Sequence, residues 1–159
     1  MSQLIDRMKY LIILTLILLV SCTENKIGGA EFTIIQFEKS GWVPFENAIP
    51  SDLSYTELIE IENIIGERVV IHTESFNRKN PEDINRKRDY IFFRQYVPVT
   101  LENGDKVVWV NFACEIFEKE KWKNEVLIVM DGGPCFFQLK VNLTNGTYYE
   151  YYVNGVASR

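Results

Sequence analysis

Residues able to do acid–base or nucleophilic chemistry are scattered along this chain. The 159 residues include one histidine, His72, and catalysis by a Ser, Cys or Thr nucleophile needs such a base within hydrogen-bond reach. His72 falls near the end of a predicted helix, where we expect a packed or helix-terminal side chain. Carboxylates such as Asp131, Glu125 and Glu115 could act as acid and base, but their spacing singles out none of them. The sequence therefore predicts no catalytic residue and no cofactor, and without a CxxC spacing it predicts no metal site.

Aromatic side chains indicate a binding surface more clearly than the titratable ones indicate catalysis. Alternation along the C-terminal strands places Trp109 on one strand, and Tyr148 and Tyr152 on another, on faces opposite the predicted core. The polar residues expected on the same surface are Arg94, Asn111, Gln138 and Lys140. Flat rings beside amides and charges suit a shallow glycan or peptide site, which needs stacking and directed hydrogen bonds together. The alternative is a face that uses tyrosine for stability, because aromatic residues favour strands.

Two cysteines fall at inward positions of two predicted strands. Alternation places Cys114 on the same face as Phe112. It places Cys135 on the same face as Phe137, so both thiols point into one core. If the two strands are neighbours, a disulfide could form and add roughly 3 kcal/mol through loop-closure entropy. Two buried thiols packed as small apolar side chains are the alternative.

The N-terminal segment has the features of an export signal. Arg7 and Lys9 make its start positive, and the apolar run over 10–20 is too short for an ordinary membrane-spanning helix. The run ends in a tetrapeptide that resembles the lipobox of bacterial lipoproteins, Leu19, Val20, Ser21 and Cys22. The resemblance implies cleavage before Cys22 and lipidation of that cysteine, with palmitate among the acyl chains. An uncleaved membrane anchor is the alternative, and both place the folded part outside the cytoplasm.

The lipobox resemblance also divides the chain. It implies a signal peptide over 1–21, and the polar, glycine-containing segment 22–30 is expected to be a tether that lifts the domain from the membrane. The remainder, 31–159, has the length of a single domain with one hydrophobic core. Thr23 differs from the aspartate that retains lipoproteins at the inner membrane of well-studied Gram-negative systems. The resemblance therefore implies the outer membrane of a Gram-negative bacterium.

The charge of the chain argues against nucleic acid as a partner. The full chain has 17 basic and 22 acidic residues. Loss of the signal segment removes two basic residues and one acidic residue, so the mature product has a net charge of −6. Basic residues gather over 78–88, but Glu82 and Asp83 interrupt them and no aromatic residues are interleaved for base stacking. We interpret this basic cluster as a solvated loop.

A capping-box pattern marks the start of the main helix. Ser54 and Glu57 are spaced so that each side chain satisfies a free amide of the first turn. Leu58, Ile61 and Ile65 then recur at helical spacing and would form a buried stripe. Local alternation of apolar and acidic residues also permits a strand here. The sequence favours the helix.

Two hairpins are predicted after this helix, each turning at an Asn-Gly pair. The four strand segments span 90–101, 106–117, 135–143 and 147–153. Pro98 has no amide hydrogen, which predicts that the first of these strands is bulged or lies at a sheet edge. Between the hairpins, the apolar segment 125–130 is expected to be extended. An earlier short strand is expected around Phe32 and Ile34.

The order of elements predicts an α+β fold, with one main helix packed on an antiparallel sheet of four to five strands. This arrangement resembles the cystatin-like class, and the last hairpin, from Phe137 to Gly155, resembles the ending of PepSY-type domains. PepSY-type domains are small extracytoplasmic modules linked in families to protease inhibition or sensing. The segment from Gln95 to Val99 lacks the final glycine of the cystatin inhibitory loop and falls within a strand, so cysteine-protease inhibition is not expected.

These observations favour a membrane-anchored extracytoplasmic module that binds a glycan, peptide or protein and is not an enzyme. Such a module needs an exposed aromatic patch and no convergent set of titratable groups. The alternatives are a structural protein of the cell envelope and an enzyme that uses acidic residues, which would need a cleft with two such groups in reach of each other.

Overall fold

A computed structural model of the protein describes residues 25–39, 45–79 and 92–156. The lipobox with Cys22 lies outside the described residues, as does most of the basic cluster over 78–88. Within the described ranges, no helix combines the length and apolar character needed to cross a membrane.

The main helix, α1 (Tyr55–Lys79), begins where the capping box predicts. The Ser54 amide and hydroxyl each donate a hydrogen bond of 2.8 Å to Glu57 Oε2. The Glu57 amide donates in return to Ser54 Oγ at 3.3 Å, which completes the reciprocal pair. The helical stripe is buried as expected, because Leu58, Ile61 and Ile65 are at most 2% exposed. The prediction of a helix instead of a strand is confirmed.

Among the described residues, the sheet has seven strands. They are β1 (Lys26–Ile27), β2 (Ala30–Ile34), β3 (Ile49–Pro50), β4 (Phe93–Thr100), β5 (Lys106–Ala113), β6 (Phe136–Asn142) and β7 (Thr147–Val153). Their order is β1-β2-β4-β5-β6-β7, and β3 pairs with the C-terminal end of β4. A short helix α2 (Lys119–Asn124) and two 3-10 turns (Phe37–Lys39 and Gly133–Cys135) complete the described elements.

The predicted α+β class, with one main helix against the sheet, is confirmed. The expectation of a purely antiparallel sheet of four to five strands was wrong, because β2 runs parallel to β4 and three short strands precede α1. The parallel pair has a simple cause. The chain leaves β2, passes through α1 and returns to the same sheet in the same direction, as a helical crossover requires.

The fold begins inside the segment expected to be a tether. β1 and β2 form a hairpin that turns at Gly28 and Gly29, whose φ angles of 55° and 81° are in the region that favours glycine. Ile27 and Ala30 are buried, with exposures of 6% and 0%. The assignment of 22–30 as tether was therefore wrong from Lys26 onward, because its apolar side chains pack into the core.

β4 lies in the interior of the sheet, so the edge position predicted from Pro98 was wrong. β5 pairs with its full length on one side, while β2 and β3 divide the other side between them. Pro98 falls between those two short pairings, where its carbonyl accepts a 3.3 Å bond from the Ser51 amide. The proline nitrogen faces the same gap, so its missing hydrogen removes no ladder bond.

The hydrophobic core lies between α1 and one face of the sheet, which we call the helix face. The alternating residues of β5 and β6 meet the helical stripe there, and the main sheet residues are Tyr96, Val108, Val110, Phe112, Phe137, Leu139 and Val141. All seven are fully buried. In the part of the chain that the structure describes, no long helix lies over the opposite, outer face of the sheet.

Candidate functional site: a groove on the outer face of the sheet

An extended segment over 125–131, which we call the strap, crosses the outer face of the sheet. Gln95 of β4 is 1% exposed and holds the start of this segment by its side-chain amide. Its Nε2 donates to the carbonyls of Trp122 at 2.6 Å and Glu125 at 2.7 Å. Its Oε1 accepts from the Leu127 amide at 2.8 Å. A buried side chain therefore replaces the ladder of a neighbouring strand as the partner of the strap backbone.

Two asparagines hold the rest of the strap. Asn111 of β5 donates through Nδ2 to the Leu127 carbonyl at 2.8 Å. Asn154, just after β7, donates to the carbonyls of Val129 at 2.5 Å and Asp131 at 3.2 Å. The strap therefore runs from β4 across β5 to the end of β7, and its position depends on three side-chain amides.

A disulfide between Cys114 and Cys135 closes the loop that contains the strap. The two Cα atoms are 5.1 Å apart, and the Cys114 amide donates to the Cys135 carbonyl at 3.0 Å. The cysteines pack with Phe136 and with two strap residues, Leu127 and Val129. Of the two alternatives for these cysteines, the structure has the bridge. One covalent bond thus joins the two ends of the loop, where the chain leaves β5 and where it enters β6.

A cavity of about 920 Å³ lies between the strap and the outer face of β5, β6 and β7, and we call it the groove. Its strap wall is apolar and consists of Leu127, Ile128, Val129 and Met130. The floor and the opposite wall include Trp109, Asn111, Phe136, Gln138, Lys140 and Tyr152. Its volume is at the upper end of the range for small-molecule sites, and its largely apolar lining is typical of them.

The floor of the groove contains an oriented amide. Trp109 Nε1 donates to Gln138 Oε1 at 2.8 Å. An indole nitrogen can only donate, so this bond fixes which end of the Gln138 amide is oxygen. Among the described residues, the structure gives Gln138 Nε2 no hydrogen-bond partner. The groove therefore has a donor that is available to a ligand.

An ion pair between a buried lysine and an exposed carboxylate lies at the polar end of the groove. Lys140 is 8% exposed, and its Nζ is 2.7 Å from Glu150 Oε2 and 5.0 Å from the centre of the Phe45 ring. Glu150 has φ 49° and lies in a β-bulge, where β7 gains one residue relative to β6. A left-handed backbone at a non-glycine residue costs roughly 1–3 kcal/mol. This backbone conformation places the Glu150 carboxylate beside the buried Lys140 ammonium and so compensates its charge.

Five of the seven residues predicted on the binding surface line the groove together: Trp109, Asn111, Gln138, Lys140 and Tyr152. Trp109 is only 2% exposed, because its cluster is covered by residues that include Val126 at the strap. The expectation of an exposed Trp109 was therefore wrong, and the residue supports the floor.

Arg94 and Tyr148 lie on the helix face, so their predicted place on the outer surface was wrong. Arg94 is 7% exposed, and its Nε is 3.0 Å from the Glu62 carboxylate of α1, which compensates the buried guanidinium. Tyr148 pairs with Val141, whose side chain is part of the core. The bulge at Glu150 reverses the alternation of β7, so Tyr148 and Tyr152 lie on opposite faces.

The mouth of the groove was missed by sequence reasoning. Met130 is 89% exposed, Tyr152 58% and Ile128 54%, so apolar side chains surround the opening. A signal was present, because the apolar run over 125–130 had no predicted strand partner to cover it. An apolar segment without a ladder partner is a reason to look for a cavity beneath it.

His72 is a packed residue, as expected for a histidine near the end of a helix. It is 5% exposed and stacks on Phe137 with ring centres 3.9 Å apart. Its Nε2 donates to the Pro134 carbonyl at 2.7 Å, so Nδ1 accepts from the Tyr151 hydroxyl. Burial lowers the pKa of His72, and the Arg68 guanidinium lowers it further. The ring connects α1 with β7 and with the turn before β6.

The chemistry of the groove suits reversible binding of a ligand with an apolar body. Its two charged groups, Lys140 and Glu150, pair with each other, and one amide donor remains available on its floor. In the part of the chain that the structure describes, no three His, Cys, Asp or Glu side chains are grouped so as to hold a metal ion. No protein-family model, no curated protein and no solved structure matches this chain.

Proposed function

We propose that this protein is a membrane-anchored extracytoplasmic lipoprotein whose domain binds its ligand in the groove, without catalysing a reaction. The observation that carries the proposal is the mouth of the groove, where Met130, Ile128 and Tyr152 surround a cavity of about 920 Å³. Large apolar side chains around a concave opening are typical of a binding site, since a ligand removes them from water.

The ionisable groups also support binding over catalysis. Lys140 and Glu150 form an ion pair at 2.7 Å. To act as a general acid or base, either group would first have to leave this pairing. Both ring nitrogens of His72 are engaged, with Tyr151 and with the Pro134 carbonyl. These contacts give the titratable residues structural partners within the fold.

The groove suits an apolar ligand better than a glycan, which is one of the partners expected from the sequence. Sugar hydroxyls need many hydrogen-bond partners, but the polar groups of the groove are largely used within the protein. Trp109 donates to Gln138, and Asn111 donates to the strap. A glycan would therefore bury hydroxyls without compensation, whereas an apolar chain would not.

A photo-crosslinker inside the groove tests the binding function in the native membrane. We would replace Tyr152 with benzoylphenylalanine in the full chain, irradiate intact cells and measure the mass of the purified protein. The expected result is a discrete adduct whose mass is that of the ligand. The matched control is the same substitution at Phe117, which is 75% exposed but does not line the groove.

The two positions together decide the outcome. An adduct at position 152 that is absent at position 117 supports the groove as the site. The same adducts at both positions, or none at position 152, would contradict the proposal, because exposure alone would then explain the labelling.

The anchor has a separate test. Mass spectrometry of the native protein should find the chain beginning at Cys22 with a diacylglyceryl adduct, and Cys22→Ala should release the domain from the membrane fraction. Fractionation should place the wild type in the outer membrane. A native product without lipid would refute the anchor while leaving the groove proposal standing.

A further inference from the structure

The polar end of the groove offers more hydrogen-bond donors than acceptors. The Lys140 ammonium has three donors, and Glu150 is the one carboxylate that the described residues give it. Gln138 lies two positions away on the same face of β6, roughly 7 Å along the strand, with its amide nitrogen available. Donors of this kind select a ligand group that only accepts, such as a carboxylate or a phosphate.

The groove changes from polar to apolar along β6. Phe136 is two further positions from Gln138, so the outer row runs roughly 13 Å from an ammonium to an aromatic ring. The strap wall beside this row is aliphatic, and it ends at the exposed Met130. A ligand that matches both ends has an anionic head and a long apolar tail.

The single lysine favours a carboxylate head over a phosphate. Glu150 lies beside the same ammonium, so a dianionic phosphate would be repelled more strongly than a monoanion. The strap also disfavours a peptide as occupant, because the backbone groups of Leu127 and Val129 that face the sheet are already bonded to side-chain amides. A peptide backbone would enter the groove with too few partners.

We propose that the groove binds a long-chain carboxylate of the fatty-acid class, with the carboxylate at Lys140 and the alkyl chain along the strap. This inference rests on the proposed binding function. Glu150 then acts as an exchangeable counter-ion. Its side chain is 56% exposed, so it can move into water when the ligand carboxylate replaces it at the buried ammonium.

Photolabelling with a matched pair of probes tests this ligand class. The full chain in its native membrane is exposed to a long-chain fatty acid with a mid-chain diazirine, or to the alcohol of the same chain. Peptide mapping should find the acid on the strap and near Tyr152, with about tenfold more labelling than the alcohol, which lacks the charge-assisted bond.

Two variants assign the head group. Lys140→Met keeps the apolar stem and should lower labelling by the acid to the level of the alcohol, while labelling by the alcohol is unchanged. That unchanged level also shows that the variant folds. Glu150→Gln removes the competing carboxylate from an exposed position and should raise labelling by the acid several-fold.

The outcomes separate this inference from the binding function. Equal labelling of the wild type by acid and alcohol, or labelling by the acid that does not depend on Lys140, would overturn the carboxylate assignment. So would equal labelling by a probe with a phosphate head. If the crosslinker at Tyr152 captures a ligand while neither alkyl probe labels the groove, the fatty-acid class is wrong and the binding function stands. Failure of both would reject the binding function itself.

Discussion

The two faces of one sheet are closed in different ways. On the helix face, aromatic and aliphatic side chains from β5 and β6 pack directly against α1 and form an apolar core. On the outer face, a strap held by Gln95, Asn111 and Asn154 crosses the sheet and leaves a groove between itself and β5, β6 and β7. Apolar packing fills space, while directed hydrogen bonds can hold a segment away from the surface beneath it.

This difference assigns stability and binding to opposite sides of the same strands. A residue of β6 that faces α1 contributes packing energy, and its immediate neighbour faces the groove. Changes on the two faces should therefore affect different measurements, and four predictions test that separation in order of expected size.

The largest effect is expected on the helix face. Phe137 is fully buried, and its ring stacks on Phe112 with ring centres 4.2 Å apart. Phe137→Ala should lower the free energy of unfolding by about 3–5 kcal/mol, measured by denaturant titration of the full chain. The outer-face control, Tyr152→Ala, should change it by no more than about 0.5 kcal/mol. Equal losses at the two positions would contradict the separation.

The disulfide should have the next largest effect. Replacing both Cys114 and Cys135 with alanine removes a cross-link between residues 21 positions apart and should cost about 3 kcal/mol of unfolding free energy. Adding a reductant to the wild type should lower its free energy of unfolding by the same amount. The reductant should leave the double variant unchanged, and any further loss there would show that its action is not on this bridge.

The amide that holds the strap should have a smaller effect on stability and a local effect on motion. Gln95→Leu leaves the Trp122 and Glu125 carbonyls and the Leu127 amide without their partner, at a cost of about 2 kcal/mol. Hydrogen–deuterium exchange should become faster across the strap. Gln138→Leu changes an amide whose hydrogen bond in the described residues is to Trp109 and not to the strap, so exchange in the strap should remain slow. Unchanged exchange in Gln95→Leu would show that the strap is held by other contacts.

The smallest effect is a pH dependence that originates on the helix face. Burial, aided by Arg68, lowers the pKa of His72 below its value of 6.5 in the unfolded chain, so the unfolded state binds more protons as pH falls. The free energy of unfolding should therefore decrease between about pH 7 and 5.5, and His72→Gln should flatten this slope. His72 is the only histidine of the chain, so no other imidazole titrates in this range.

The pH range in which His72 affects stability also lies above the range in which Glu57 loses its stabilising effect. Burial opposes ionisation of Glu57, but the Lys106 ammonium and the Ser54 hydrogen bonds outweigh it and lower the pKa of this carboxyl below 4.5. Its contribution to stability is present at neutral pH and is lost only in more acidic solution. A slope that persists unchanged in His72→Gln would mean that another group controls stability near neutral pH.

Local patterns predicted the buried rows of α1 and β6 well. The capping box of Ser54 and Glu57 located the start of α1, and simple alternation identified the buried row of β6. Both patterns depend on neighbours close in sequence. The buried rows of α1 and β6 could therefore be predicted from the sequence pattern alone.

The outer face depends on contacts that have no periodic pattern. Nothing near Gln95 in sequence shows that its amide bonds to a segment about thirty residues away. The residue after Glu125, Val126, is among those that cover Trp109. The bulge at Glu150 adds one residue to β7, so alternation placed Tyr148 on the wrong face. Arg94 was misplaced because its charge suggested solvent, whereas Glu62 compensates it inside.

The bridge between Cys114 and Cys135 also determines what happens if the loop is cut. Lys121 lies within the closed loop and is exposed on α2, so a trypsin-like protease has access to its peptide bond. Cleavage there leaves two pieces that remain joined through sulfur. The piece with β6 and β7 stays attached to the N-terminal piece, so the protein keeps one molecular mass until it is reduced. The bridge thus makes the fold tolerant of a cut in this loop.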